Sequence, residues 1–186
     1  ATASATSASL KAVPGINLQH YWGYSLDVAK VSRSLAGVVQ QNQQAAFTAG
    51  LIHLVGELAM RIAMPDDMAR LDADVPALDP RRAKTELRAF GYSYAQVGAG
   101  LARKWLFPLP IVEALEHQDA PFDRDAYEPL AGVIHLAAWR ARAKDARMNQ
   151  REMAVTFPGA VGEVLALDID MVLQQDPIDW SFQNRG

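Results

Sequence analysis

The 186-residue sequence contains no cysteine and carries little excess charge. Without thiols the chain has no disulfide and no thiolate metal site, which agrees with a cytoplasmic location. The net charge of -3 gives the whole protein no electrostatic attraction for nucleic acid or for an anionic membrane. No uninterrupted apolar run reaches the length of a membrane span, and no basic segment leads into a signal-peptide core. We therefore expect a cytoplasmic protein that binds neither membrane nor nucleic acid.

Half of the residues are hydrophobic and 21% are charged, a composition typical of a globular domain with a core. Residues 1–15 are rich in Ala, Ser and Thr, and we expect them to form a flexible tail or linker. Residues 16–186 are then predicted to form a single domain. Since the sequence begins with alanine, we expect it to be part of a longer protein.

The segment 45–64 is the most apolar in the sequence, and we predict that it forms one helix at the centre of the fold. Its apolar residues recur at steps of three and four, at Phe47, Leu51, Leu54, Leu58 and Ile62. Positions beside this stripe are also apolar, as in a helix buried on most sides. His53 lies in the middle, with Gly50 and Gly56 leaving room beside it for another helix or a ligand.

The rest of the sequence predicts further helices and no strand. Pro65 ends the central helix, Gly91 ends a short charged helix, and Ser93 with Gln96 forms a capping box. The other predicted helices span residues 23–41, 81–90, 93–105, 108–117, 127–140, 160–166 and 169–174. The prediction is an all-α, compact domain of about seven to nine helices without a sheet.

Five segments, in order and with regular spacing over residues 20–142, resemble HDOD domains. They are YWGYS at 21–25, FTAGLIHLVGEL at 47–58, ELRAFGYSYAQVG at 86–98, LARKWLFPLPIVEALEH at 101–117 and IHLAA at 134–138. HDOD domains are relatives of the HD and HD-GYP phosphohydrolases. The resemblance implies an HD-like helical fold, and it implies that the helical half that usually precedes this region in HDOD proteins is missing here.

Active relatives hold one or two metal ions with histidines, a His-Asp pair and a final aspartate. The resemblance places these positions at Tyr24, His53, Leu54, Tyr94, His117 with Gln118, and Ala138. Only His53 and His117 keep a side chain that binds metal. The resemblance therefore implies a dismantled metal site, with no catalytic residue and no cofactor.

The remaining polar residues leave alternatives open. Glu57 follows His53 by four residues, so the two side chains either hydrogen-bond each other or approach a metal together with His117. Tyr24 and Tyr94 each lie on an apolar stripe and can be core aromatics, and His117 can interact with a helix dipole. The former metal pocket, formed by Tyr24, His53, Glu57, Tyr94 and His117, can also hold a small ligand.

The resemblance implies a non-catalytic module of bacterial signal transduction that acts by binding partner proteins. One alternative is a residual metal-dependent phosphohydrolase acting on a nucleotide or cyclic dinucleotide; another is a sensor that binds a small ligand in the former metal pocket. Four late aromatic residues, Trp139, Phe157, Trp180 and Phe182, are candidates for the partner surface, or Trp139 and Phe157 seal the end of the domain. The basic cluster is interpreted as a solvated helix face and comprises Arg140, Arg142, Lys144, Arg147 and Arg151.

Overall fold

The computed structural model describes residues 13–124 and 126–175, and this part of the chain forms eleven α-helices and no strand. The helices are α1 Leu18–Val38, α2 Gln43–Ile52, α3 Val55–Ala63, α4 Pro65–Asp74, α5 Arg82–Phe90, α6 Tyr94–Lys104, α7 Leu109–His117, α8 Pro129–Asp145, α9 Gln150–Thr156, α10 Gly159–Leu165 and α11 Ile169–Leu173. The all-α prediction is confirmed, although the described residues contain more helices than predicted. Trp180, Phe182 and the tail up to residue 12 lie outside the described residues.

Helices α1 and α8 lie at the centre of the core. In α8, 11 of the 17 residues are buried, so this helix is apolar around most of its circumference. Helix α1 packs on α2 and α8, α7 packs on α6 and α8, and α3 packs on α6. The segment 45–64 forms one side of the core and not its centre, because α2 and α3 are each buried over only part of their surface.

The predicted helix 45–64 is divided at His53 and Leu54. The Nδ1 atom of His53 donates to the carbonyl oxygen of Gly50 at 2.6 Å, and Gln118 Nε2 donates to the carbonyl oxygen of His53 at 3.0 Å. Because these carbonyls are engaged, the amide of Glu57 bonds to the carbonyl of Leu54 instead of that of His53. A continuous helix would need the His53 carbonyl for that bond, so α2 ends and α3 begins at this point.

Gly50 and Gly56 each allow a neighbouring helix to approach closely, which is one of the two roles that the sequence predicted for them. A Cβ atom at Gly56 would lie 2.0 Å from the Tyr94 carbonyl oxygen, and one at Gly50 would lie 2.8 Å from the Cα atom of Ala29. Helix α3 therefore packs backbone to backbone on α6, and α2 does the same on α1.

The segment 43–63 has the length and mean hydropathy of a membrane-spanning helix, the one such segment within the described residues. Half of its most apolar window is buried inside the protein. Its charged residues, Glu57 and Arg61, are buried and paired with other side chains of the fold. These features are typical of a helix pair in a protein core. Such a pair can have the same mean hydropathy as a membrane-spanning helix.

Most predicted helix ends agree with the structure because capping and breaking residues set them locally. Ser93 and Gln96 form the predicted capping box, Gly91 adopts φ 80°, and Pro65 lies in the first turn of α4. Helix α9 was missed, although Asn149 and Glu152 form a second capping box at its start.

Candidate functional site

A cavity of about 170 Å³ lies between α1, the α2–α3 junction, the loop after α4, α6 and α8. Its lining includes six of the positions predicted for the former metal site: Tyr24, His53, Leu54, Tyr94, Gln118 and Ala138. Neither His117 nor Glu57 belongs to the lining. Three of the five residues predicted for the pocket, Tyr24, His53 and Tyr94, therefore line one cavity, and the other two lie elsewhere.

His53 is 2% exposed and is oriented by its own helix. Because Nδ1 donates to the Gly50 carbonyl, the ring carries its proton there and presents an unprotonated Nε2 atom. Burial lowers the pKa of His53 to about 4, so the imidazole is neutral at physiological pH. Arg142 also disfavours the charged form, whereas the Gly50 hydrogen bond opposes both effects.

Tyr24 and Tyr94 each have a hydrogen-bond partner at the cavity. The Tyr24 hydroxyl donates to the Ala138 carbonyl at 3.1 Å, and the Tyr24 ring lies 5.8 Å from the ring of His53. The Tyr94 hydroxyl donates to Asp119 Oδ1 at 2.7 Å. Burial raises the pKa of Tyr24 to about 12 and that of Tyr94 well above its usual value, so both remain protonated donors.

Five polar residues of the lining were not predicted: Asp79, Asp119, His135, Arg142 and Thr156. Asp119 follows α7, and burial raises its pKa to about 6. His135 Nδ1 donates to the Gln118 carbonyl at 2.7 Å, and burial lowers the pKa of this histidine. Arg142 was interpreted as part of a solvated helix face, but it is only partly exposed and lines the cavity.

A signal for two of these residues was present in the sequence. His135, Ala138 and Arg142 are spaced by three and four residues, so they lie on one face of α8. The resemblance had placed Ala138 at the former metal site. Its neighbours one turn away on either side could therefore have been assigned to the same pocket.

Glu57 neither hydrogen-bonds His53 nor approaches His117, which contradicts both interpretations. The break between α2 and α3 turns its carboxylate into a buried ionic cluster. Glu57 Oε1 lies 2.8 Å from Arg61 Nη2 and 3.0 Å from Arg82 Nη2. Burial raises the pKa of Glu57 to about 7, against the opposing effects of Arg82 and Arg61.

The ionic cluster joins the three helices α3, α4 and α5 and is formed by Glu57, Arg61, Asp72, Arg82 and Glu86. Arg82 bonds to Glu86 Oε1 at 2.9 Å, to Asp72 Oδ1 at 2.9 Å and to Glu57. Glu86 Oε2 accepts the Tyr94 amide at 2.6 Å, which holds the first turn of α6. The cluster does not line the cavity, but it positions Tyr94, which does.

His117 lies outside the cavity, at the end of α7. Its Nε2 atom is 3.2 Å from Glu128 Oε1, just before α8. Gln118 lies at the cavity instead, where its Nε2 atom donates to the carbonyls of His53 and Leu115. His117 is therefore part of a side-chain pair at the surface of the α7–α8 connection.

The cavity lining does not fit the metal ions held by active relatives. Within the described ranges, no three His, Asp or Glu side chains are grouped so that they could hold a metal ion. Leu54 and Ala138 supply alkyl groups at positions where those relatives use carboxylates, and Asp119 already accepts a hydrogen bond from Tyr94. Divalent metal ions need several carboxylate or imidazole ligands that converge on one position, and the lining of this cavity does not supply them.

Trp139 is buried, and its exposed fraction is only 2%. Its ring packs edge to face on Phe157 at 5.1 Å, and its Nε1 atom donates to Thr156 Oγ1. The proposal of a partner surface at Trp139 is therefore wrong, and the alternative that Trp139 and Phe157 seal this end of the domain agrees with the structure.

Three solved structures share the fold. A provisionally named phosphohydrolase from Shewanella amazonensis SB2B is 26% identical, with a TM-score of 0.74 over 92% of this chain and 64% of that chain. An HDOD domain protein of unknown function from Geobacter sulfurreducens is 20% identical, with a TM-score of 0.63 over 87% and 59%. A provisionally named signal transduction protein from Marinobacter aquaeolei VT8 is 22% identical, with a TM-score of 0.64 over 83% and 35%.

In each case this chain spans less than two thirds of the length of the solved protein. No functionally curated protein matches the chain significantly. The HDOD domain family matches residues 1–121, whereas the motifs in the sequence had indicated residues 20–142. With this match over most of the sequence and the shared helical fold, the chain belongs to the HDOD family.

Proposed function

We propose that this protein is a non-catalytic module of cytoplasmic bacterial signal transduction that acts by binding partner proteins. Membership of the HDOD family and its signal-transduction-like structural neighbours fit a regulatory role. The observation that carries the non-catalytic part is the lining of the cavity. Leu54 and Ala138 replace charged donors there, and Glu57 is committed to Arg61 and Arg82.

An exposed apolar turn between α6 and α7 supports the protein-binding part of the proposal. This apolar turn consists of Trp105, Leu106 and Leu109, whose exposed fractions are 53%, 88% and 62%. Leu106 also adopts φ 60°, a conformation that costs a leucine about 1–2 kcal/mol. Since neither burial nor backbone geometry favours leucine here, contact with another protein is the function that explains it.

The alternative, a residual metal-dependent phosphohydrolase, would need His53, His135 and Asp119 as ligands, since these line the cavity. In the described part of the chain they do not form a group that could hold a metal ion. The 26% identity to a provisionally named phosphohydrolase makes the alternative worth testing directly.

The test measures hydrolysis of bis(p-nitrophenyl) phosphate and of a cyclic dinucleotide with added Mn²⁺ or Fe²⁺. We expect no rate above that of the metal in buffer, for the wild-type protein and for His53→Ala alike. A metal-dependent rate that disappears in His53→Ala would establish the phosphohydrolase and overturn the proposal.

A further inference from the structure

The cavity beside His53 contains a cation and a carboxylate that do not pair with each other. Arg142 and Asp119 both line it, and Arg142 lowers the pKa of Asp119 against the larger opposing effect of burial. The two charges are thus close enough to interact. Within residues 13–124 and 126–175, Arg142 forms no direct ion pair with Asp119 or with any other carboxylate. Both side chains are only partly exposed, and their near neighbours are neutral: Tyr94 donates to Asp119, and Arg142 lies near the Tyr24 hydroxyl. A ligand that carries the opposite charge to each is therefore favoured.

Of the other polar groups of the lining, the Asp79 carboxylate is paired with Arg81, and the tyrosine hydroxyls and the Gln118 amide already donate to protein acceptors. The two imidazoles offer hydrogen-bond acceptors. His53 and His135 each donate Nδ1–H to a backbone carbonyl, and neither Nε2 atom has a partner among the described residues. Asp119 uses Oδ1 to accept from Tyr94. A matching ligand therefore needs N–H donors on one side and an anionic group for Arg142 on the other.

This pattern disfavours two common classes of ligand. A phosphate dianion would place its acceptor oxygens against the Asp119 carboxyl and the imidazole lone pairs. A purely apolar molecule would leave Arg142 and Asp119 unpaired and without water. A zwitterion satisfies both charges and supplies the donors.

We propose that the cavity binds a small zwitterion of the amino-acid class, whose carboxylate is held by Arg142 and whose ammonium group is held by Asp119. The Nε2 atoms of His53 and His135 accept further N–H bonds from the ligand. The cavity volume of about 170 Å³ equals that of roughly five or six water molecules, which is enough for a compact amino acid.

The binding of a zwitterion goes beyond the regulatory function proposed above and does not depend on the absence of catalysis. The lining comes from α1, α6 and α8 together with the loop after α4. A ligand that contacts all of them would stabilise their arrangement, so amino-acid binding would give the module an input signal.

The experiment screens the twenty amino acids individually by thermal shift and then titrates the best one by calorimetry. We expect one-to-one binding. Its methyl ester, which lacks the carboxylate, and its N-acetyl derivative, which lacks the ammonium group, should each bind about tenfold more weakly or worse, because each loses a charge-assisted hydrogen bond.

Two variants and one matched control assign the binding to the cavity. Arg142→Gln and Asp119→Asn should each weaken binding by about tenfold or more, whereas Arg151→Gln, at an exposed arginine of α9, should bind as the wild type does. Measuring two variants keeps the test valid if one of them fails to fold. The proposal is overturned if no amino acid raises the melting temperature, if the N-acetyl derivative binds as tightly as the free amino acid, or if inorganic phosphate binds in its place.

Discussion

Arg82 is the residue on which the ionic cluster depends. Its side chain is 1% exposed and contacts three carboxylates, those of Glu57, Asp72 and Glu86. A buried salt bridge contributes little net stability compared with apolar packing, but removal of one partner leaves the other charges without compensation. The main effect of the cluster on stability is therefore the destabilisation expected when one of its members is removed.

We predict that Arg82→Met lowers the free energy of unfolding by about 3–5 kcal/mol. The matched control is the adjacent Arg81→Met, since Arg81 pairs with Asp79 at 2.8 Å in an exposed position. That variant should change the stability little, because exposed ion pairs are screened by solvent. Urea denaturation of the three proteins measures the difference, and equal losses in both variants would show that the cluster is not the critical feature.

His53 makes stability depend on pH in a defined direction. The unfolded chain protonates this residue below about pH 6.5, whereas the folded protein does so only near pH 4. Between these values the unfolded state binds more protons, so stability falls as the pH falls. The raised pKa values of Glu57 and Asp119, about 7 and about 6, act in the opposite direction over part of the same range.

A comparison of wild type with His53→Gln isolates this contribution, since Glu57 and Asp119 are present in both proteins. We predict that the stability of the wild type relative to His53→Gln falls by about 2 kcal/mol between pH 7.5 and pH 5. Denaturation curves at the two pH values provide the measurement. A relative stability that stays constant would mean that His53 is not held neutral by burial.

At the scale of helices, the contact between α3 and α6 depends on Gly56. A Cβ atom there would overlap the Tyr94 carbonyl oxygen at 2.0 Å, whereas nothing lies within 4 Å of a Cβ atom at Gly100. We predict that Gly56→Ala destabilises the protein by several kcal/mol or prevents folding, because two backbones must separate. Gly100→Ala should stabilise it by up to about 1 kcal/mol through helix propensity. Thermal denaturation would contradict this account if the two variants behaved alike.

The apolar turn between α6 and α7 gives a second prediction at this scale. Leu106→Gly should leave the stability unchanged or raise it by up to about 1 kcal/mol, because the left-handed backbone at φ 60° suits glycine. Leu87→Gly is the control, since Leu87 is exposed within α5 and its replacement should cost about 1 kcal/mol. If both variants lose the same stability, folding alone explains Leu106 and the argument for a partner surface fails.

The helices that the sequence predicted well are those whose ends are set by neighbouring residues. Ser93 with Gln96, Gly91 and Pro65 act within a few positions, so periodicity and capping suffice. The break at His53 was not predictable in this way, because it depends on Gln118, which lies 65 residues away. Because the helix is broken there, Glu57 does not lie one regular turn after His53, as its predicted position beside the pocket required.

At the scale of the whole molecule, the motif resemblance identified several residues that line the cavity, but not its charged residues. Tyr24, His53 and Tyr94 were assigned from the order of motifs, and they meet at one cavity. Asp119 was missed because it lies in a loop, where no periodicity shows which side chains face a cavity, whereas Arg142 shares one face of α8 with Ala138 and could have been assigned. That the two charges line one cavity without forming an ion pair with each other is visible only in the folded structure.

The metal content of the purified protein tests most directly whether the HD-type metal site is dismantled. Protein prepared without chelator, in a medium supplied with Fe, Mn and Zn, is measured by elemental analysis as wild type and as His53→Ala. We predict far less than one metal ion per chain in both proteins, because Leu54, Ala138 and the buried Glu57 leave too few donors. One tightly held ion per wild-type chain that is lost in His53→Ala would contradict the account.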